Sequence, residues 1–133
     1  MTPDPDSRRK ARRRVLVVED EPPVMQFLDA LLTQSGYEVL QARNGVEAMV
    51  ALTAPRRDLP HAILLDLGLP LEDGISVLNF LRNVMRSGIP VIVVTGRHEP
   101  EEEAAVRELG ITALLRKPPN SQQILSALSV ALD

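Results

Sequence analysis

The strongest constraint on this chain is an alternation. Short apolar runs are separated, five times over, by stretches with helical spacing. The runs are Val15–Val18, Tyr37–Ala42, Ala62–Leu65, Pro90–Val94 and Ile111–Arg116. Consecutive apolar positions suit a strand buried on both faces, and such strands belong to parallel sheets covered by helices. Only the second run alternates weakly. Between the runs, Val24, Phe27, Leu28, Leu31 and Leu32 follow helical spacing over 22–35, with Pro22 and Pro23 in the first turn and Gly36 as the stop. Asn44-Gly45 marks a turn before a short helix with Val46, Met49 and Leu52 on one face, and Pro55 to Pro60 reads as a polar loop. A breaker-rich stretch, Gly68 to Gly74, leads into a helix that turns Ile75, Leu78, Leu81 and Met85 inward and ends at Gly88. His98–Glu103 opens a fourth helix, with acids at the positive end of its dipole, and Gly110 closes it. Asn120 or Ser121 caps a fifth bearing Ile124, Leu128 and Ala131. Met25, Met49 and Met85 fall on apolar helix faces and read as core. The pattern predicts an α/β domain of five β–α units, with helices on both faces of a parallel sheet.

The 133 residues are enough for one such domain and leave no room for a second. No cysteine is present, which excludes a disulfide framework and thiolate-bound metal. No apolar run approaches the roughly 18 residues of a membrane span, and no secretory leader is visible, so a cytoplasmic location is expected. Three aromatics, Phe27, Tyr37 and Phe80, cannot build a stacking platform for bases. Charge is uneven. Residues 1–14 carry six basic and two acidic side chains, whereas 15–133 carry nine basic and sixteen acidic ones. The first segment reads as a disordered basic tail, the second as the folded domain. With no recognition helix in the pattern, the cations at 8–14 are read as a solubilising leader, and nucleic acid is not expected as a partner.

In an open parallel sheet, sites form where strands end. Past the first strand come Glu19, Asp20 and Glu21; past the third, Asp66; past the fourth, Thr95 and Gly96; past the fifth, Lys117 and Pro118. Crowded carboxylates raise one another's pKa unless a cation is present. An all-oxygen donor set favours a hard ion such as magnesium, which also takes a phosphate oxygen. A hydroxyl and an ammonium alongside could hold the other phosphate oxygens. The implied chemistry is phosphoryl transfer to an aspartate acting as nucleophile. Lys117 is the only lysine among the nine basic residues of 15–133, a point charge where the chain otherwise uses arginine. Glu21 reads as a helix start, and His61 and His98 as solvated.

These segments resemble the receiver domains of two-component response regulators. Val15–Glu21 resembles their first strand with its acidic pair, Ile63–Pro70 with Gly74 their phosphorylation segment, Val93–Gly96 their threonine turn, and Arg116-Lys117-Pro118 their Lys-Pro. The resemblance runs from residue 15 to about 132. It implies a flavodoxin-like fold with strand order 2-1-3-4-5. It also implies that Asp66 accepts a phosphoryl group from a histidine kinase or phosphotransfer protein. Glu19, Asp20, Asp66 and the backbone carbonyl of Gly68 would hold magnesium. Thr95 and Lys117 would contact phosphoryl oxygens, and the Lys117–Pro118 bond is often cis in the family. Phosphorylation would switch the face made by the fourth helix, fifth strand and fifth helix, through Thr95 and the residue at 114, to control an output partner; a homodimer is one form open to it. The protein would catalyse its own phosphotransfer and dephosphorylation without turning over a separate substrate. Three positions depart from the pattern. Leu114 stands where many receivers carry Tyr or Phe, Gly96 where alanine is common, and Gly68 leaves Arg97 as the side chain able to shield the phosphoryl. Leu114 keeps open a pseudo-receiver, an interaction module independent of phosphorylation. A phosphatase of the aspartate-nucleophile type would carry a second aspartate where Gly68 stands.

Overall fold

A computed structural model of the chain describes residues 13–69, 73–96 and 99–133. The expectations for the tail over 1–12, for Pro70, and for Arg97 and His98 lie outside the described residues. The elements run in strict alternation: Arg14–Val18 (β1), Pro22–Gln34 (α1), Glu38–Ala42 (β2), Gly45–Leu52 (α2), Ala62–Asp66 (β3), Gly74–Asn79 (α3), Val91–Thr95 (β4), Pro100–Leu109 (α4), Ala113–Arg116 (β5) and Ser121–Leu132 (α5). All strand pairs are parallel, in the order β2-β1-β3-β4-β5. This is the expected doubly wound sheet.

The period-two alternation of each strand divides the core into two layers. Leu16, Val18, Ile63, Leu65, Val91 and Val93 face α2, α3 and α4, where Leu52, Leu78, Leu81 and Val106 meet them. Val15, Val17, Leu64, Ile92 and Val94 face the other way, against Met25, Leu28 and Leu32 of α1 and Ile124 and Leu128 of α5. Both faces are therefore apolar in the three central strands, which is why their sequences read as unbroken apolar runs. Strand β2 is an edge, with Glu38 and Gln41 exposed, and its weaker pattern follows from that.

Capping matches the chemistry at hand. Asn44 accepts the Glu47 N–H at 2.8 Å, and Asp73 accepts that of Ser76 at 2.8 Å. Asn120 and Gln123 form a reciprocal capping box at the start of α5. Gly36 (φ 95°) and Gly110 (φ 101°) end α1 and α4 in conformations that side chains rarely adopt.

Several expectations need correction. In α1 the buried stripe is Met25, Leu28 and Leu32, and Phe27 lies off it, 43% exposed. In α2, Gly45, Ala48 and Leu52 face inward, and Val46 is 51% exposed, because the helix starts at Gly45 and its small residues approach the sheet. The third helix does not end at Gly88. It widens into a π-helical segment over Phe80–Val84, and Arg86 leaves it with φ 55°. The Arg82 guanidinium accounts for this early exit: it donates to the Ser87 carbonyl at 2.8 Å and to Gly110 O at 3.0 Å, holding the connection to β4 against the end of α4. The fourth strand begins at Val91, one residue after Pro90, and β5 begins at Ala113, two residues after Ile111.

At the edge where the strands begin, the Arg14 backbone N–H donates to His61 Nδ1 at 2.9 Å. Burial, with the nearby charges of Arg14 and Arg13, pushes the His61 pKa below its ordinary value of 6.5 against a smaller opposing pull from Glu38. A depressed folded pKa favours the neutral ring, so this contribution to stability is fully present above the unfolded value and is lost as pH falls below it. The unfolding midpoint should accordingly drop between pH about 7 and about 5, and His61→Gln should flatten that slope in a series of thermal melts.

Candidate functional site

The parallel strands end along one edge of the sheet, and the ends of β1, β3 and β5 carry the charged groups. Glu19 follows β1, Asp66 is the last residue of β3, and Lys117 follows β5. Glu19 and Asp66 are 2% and 6% exposed. Lys117 Nζ lies 3.0 Å from Asp66 Oδ2 and 3.0 Å from Glu19 Oε1, so one ammonium bridges two buried carboxylates. The other Asp66 oxygen, Oδ1, accepts the Gly68 N–H at 3.0 Å. Each Asp66 oxygen therefore has a partner, and the carboxylate plane is fixed. Glu19 Oε2 accepts the Glu21 N–H at 3.1 Å.

Glu19, Asp20 and Asp66 each offer an oxygen within 4.8 Å of the other two. Three carboxylates converging at that range suit a small hard dication, which needs oxygen donors and keeps water on its open positions. Burial raises the Glu19 pKa above its ordinary value, against hydrogen bonds from Glu21 and Lys117, and the Asp66 charge adds to the rise. At Lys117, burial alone would lower the pKa; hydrogen bonds to Asp66 and Glu19 outweigh it, and the net shift is upward. The lysine is held charged.

The remaining expected residues fall at the same end. Thr95 ends β4, is 2% exposed and pairs in register with Arg116; its carbonyl accepts the Lys117 N–H at 3.0 Å. The Lys117–Pro118 peptide is cis. Leu114 is half-buried and packs into the layer facing α2, α3 and α4. A methyl group at Gly96 would meet only Lys117 Cβ, at 3.9 Å, so alanine fits there without strain.

Two features escaped the sequence reading. Glu21 is more than a helix start, since its Oε1 lies 3.8 Å from Lys117 Nζ at the rim. Phe27, with Pro23, Val24, Pro118 and Pro119, lines an apolar groove of about 520 Å³ that Glu21 and Lys117 border. A phenylalanine at i+3 of an apolar helix pattern fits an inward stripe equally well, so the pattern alone could not expose it.

Comparison with known proteins agrees with this geometry. The family described as the response regulator receiver domain matches residues 15–129. The transcriptional regulatory protein PrrA of Mycobacterium tuberculosis is 40% identical over 105 residues, 79% of this chain. The chain spans 43% of the length of that relative. Among solved structures, a CheY-like receiver domain protein from Methanospirillum hungatei superposes with a TM-score of 0.84 at 26% identity, covering 91% of this chain and 94% of its own. The receiver domain of the sensor histidine kinase PA1611 from Pseudomonas aeruginosa, which holds a magnesium ion in its active-site cleft, superposes with a TM-score of 0.77 at 25% identity, covering 90% and 97%. With the match spanning nearly the whole described fold, this chain belongs to the response regulator receiver domain family of two-component signalling.

Proposed function

We propose that the domain is a phosphoacceptor switch in which Asp66 takes a phosphoryl group from a histidine kinase or phosphotransfer protein. The observation that carries this reading is the bridge from Lys117 to Asp66 and Glu19 beside a three-carboxylate cluster. A scaffold that only bound partners would gain nothing from crowding buried acids, which costs electrostatic energy. The pseudo-receiver alternative is weaker for that reason. Gly68 also argues against a phosphatase with a second catalytic aspartate at that position.

In this reading an Asp66 oxygen attacks the donor's phosphorus. An O–P bond forms, the donor's N–P bond breaks, and its electron pair returns to the imidazole nitrogen. The Gly68 N–H orients the carboxylate for that attack. Lys117 remains charged throughout and shifts its hydrogen bonds onto a phosphoryl oxygen. Glu19, Asp20, Asp66 and the Gly68 carbonyl would hold magnesium, which when bound neutralises charge on the carboxylates and on the incoming phosphoryl group. Thr95 then closes on the phosphoryl group from the end of β4. Its movement, with that of Leu114, is transmitted to the α4–β5–α5 face that an output partner reads. The basic segment ahead of β1 leaves the switch untouched, and the domain from β1 to α5 acts as the signalling unit.

Intact mass after incubation with acetyl phosphate tests the reading. A gain of one phosphoryl group with magnesium, and none with chelator, is expected. A well-folded protein that gains no mass and also fails to bind beryllofluoride would overturn it in favour of the pseudo-receiver.

The apolar groove beside Lys117 suits the apolar face of a donor helix, with Phe27 as the central contact. Phe27→Asp should slow phosphotransfer from the kinase about tenfold or more, equivalent to ~1.4 kcal/mol. Labelling by acetyl phosphate, which needs no docking, should keep its rate. A parallel fall in both would show that Phe27 supports the site itself.

A further inference from the structure

The end of the sheet opposite the acidic site is rich in arginine, carried on neighbouring connections. Arg13 and Arg14 lead into β1. Arg56 and Arg57 sit on the 3-10 turn that precedes β3. The Arg14 side chain ties these two loops, donating to the Arg57 carbonyl at 2.5 Å and to that of Leu59 at 2.9 Å. Arg86 lies on the next connection along, between α3 and β4, and borders a hollow of about 420 Å³ with Asn83 and Ser87. Strands β1, β3 and β4 are neighbours, so the connections that carry these cations border the same edge of the sheet.

Arg13 donates to the Leu132 carbonyl at 2.7 Å and Arg14 is tied to the Arg57 and Leu59 carbonyls, so the cations available for contact are the other three. Arg56, Arg57 and Arg86 are exposed, and the Arg57 side chain is 86% exposed. Among the described residues, Glu38 lies 3.9 Å from Arg14 and Asp58 lies 3.8 Å from Arg57. Asp133 also lies toward this edge and adds its charge near Tyr37. The Arg57–Asp58 pair is long and solvent-exposed, so it competes weakly with an incoming anion.

We infer that this edge binds the phosphodiester backbone of a nucleic acid, without regard to sequence. Exposed cations on separate connections of one edge fit a ligand of repeated negative charge better than a single anion. The guanidinium fork matches phosphate oxygens, and all three exposed cations are arginine. A membrane surface is the weaker candidate, since binding in the interfacial plane uses exposed Trp, Phe or Leu, and the one exposed large aromatic among the described residues, Phe27, lies at the opposite end. Sequence reading credited only the tail with this charge and set it aside. The fold adds Arg56, Arg57 and Arg86, which are far from it in the chain.

Fluorescence anisotropy with a labelled DNA duplex of arbitrary sequence, titrated with the full chain over a range of salt, tests the inference. Affinity should fall linearly with salt on logarithmic axes. The double variant Arg56→Gln/Arg57→Gln should lower that slope by about 2, at roughly 0.9 per lost phosphate contact, and Arg86→Gln by about 1. Acetyl phosphate labelling, which uses the other end of the sheet, should be unchanged in all of them. An unchanged slope in the double variant would assign binding to the tail alone and overturn the inference. Absence of binding at low salt, or binding to phosphatidylserine vesicles but not to the duplex, would overturn it as well.

Discussion

Asp66→Asn should reduce magnesium-dependent phosphoryl uptake from acetyl phosphate to background, read by intact mass. The amide lacks the charge and the lone-pair basicity that make the carboxylate a nucleophile. The variant should otherwise be well behaved. An amide oxygen can still accept the Gly68 N–H, and Lys117 keeps its 3.0 Å contact with Glu19. Removing the Asp66 charge also removes one of the influences that raise the Glu19 pKa. These changes oppose one another, and the unfolding free energy should move by no more than about 1 kcal/mol. A loss of labelling without a loss of fold isolates the chemistry at one side chain. Persistent labelling would place the acceptor elsewhere.

Gly74→Ala should be the most destabilising conservative change near the site. A Cβ there would stand 2.5 Å from the Asp66 carbonyl oxygen and 2.6 Å from Leu67 Cα. Both obstacles are backbone, and the Gly74 N–H is itself bonded to the Leu67 carbonyl at 3.2 Å, so α3 cannot shift without moving the end of β3. Overpacking of this kind costs about 2–3 kcal/mol, which lowers the melting temperature by on the order of 10 °C in a domain of this size. Because the displaced atoms include the Asp66 backbone, labelling should slow at least tenfold even below the melting range. Gly88→Ala is the control: nothing lies within 4 Å of that position, and a change within about 0.5 kcal/mol is expected. Calorimetry on the two variants, paired with labelling rates, separates a packing requirement at residue 74 from a general intolerance of alanine.

Leu114 marks where physical reading of the switch meets its limit in sequence. As a letter it signals the absence of an aromatic ring. In the fold it is half-buried in the core layer that α2, α3 and α4 cover. Gly96 is similar. Sequence shows a missing methyl group; structure shows that alanine would fit beside Lys117 Cβ at 3.9 Å.

What the sequence determined by itself was the part governed by periodicity and by strand ends. Unbroken apolar runs such as Ala62–Leu65 can be stable only with both faces covered, and parallel β–α units put the residue after each strand at a common edge. That brought Glu19, Asp66, Thr95 and Lys117 together before any distance was known. Tertiary structure decided what depends on the packing of elements distant in the chain. It turned Phe27 outward to build a groove with Pro118 and Pro119, because only the Met25, Leu28 and Leu32 stripe of α1 meets the sheet. It ended α3 through Arg82, whose guanidinium reaches a carbonyl 28 residues away. It also bonded the Arg14 guanidinium to the Arg57 carbonyl, 43 residues away. Helical and strand periods record which face of an element is apolar, but which side chains from separate elements become neighbours is fixed only when the sheet closes its order and the connections cross its edge.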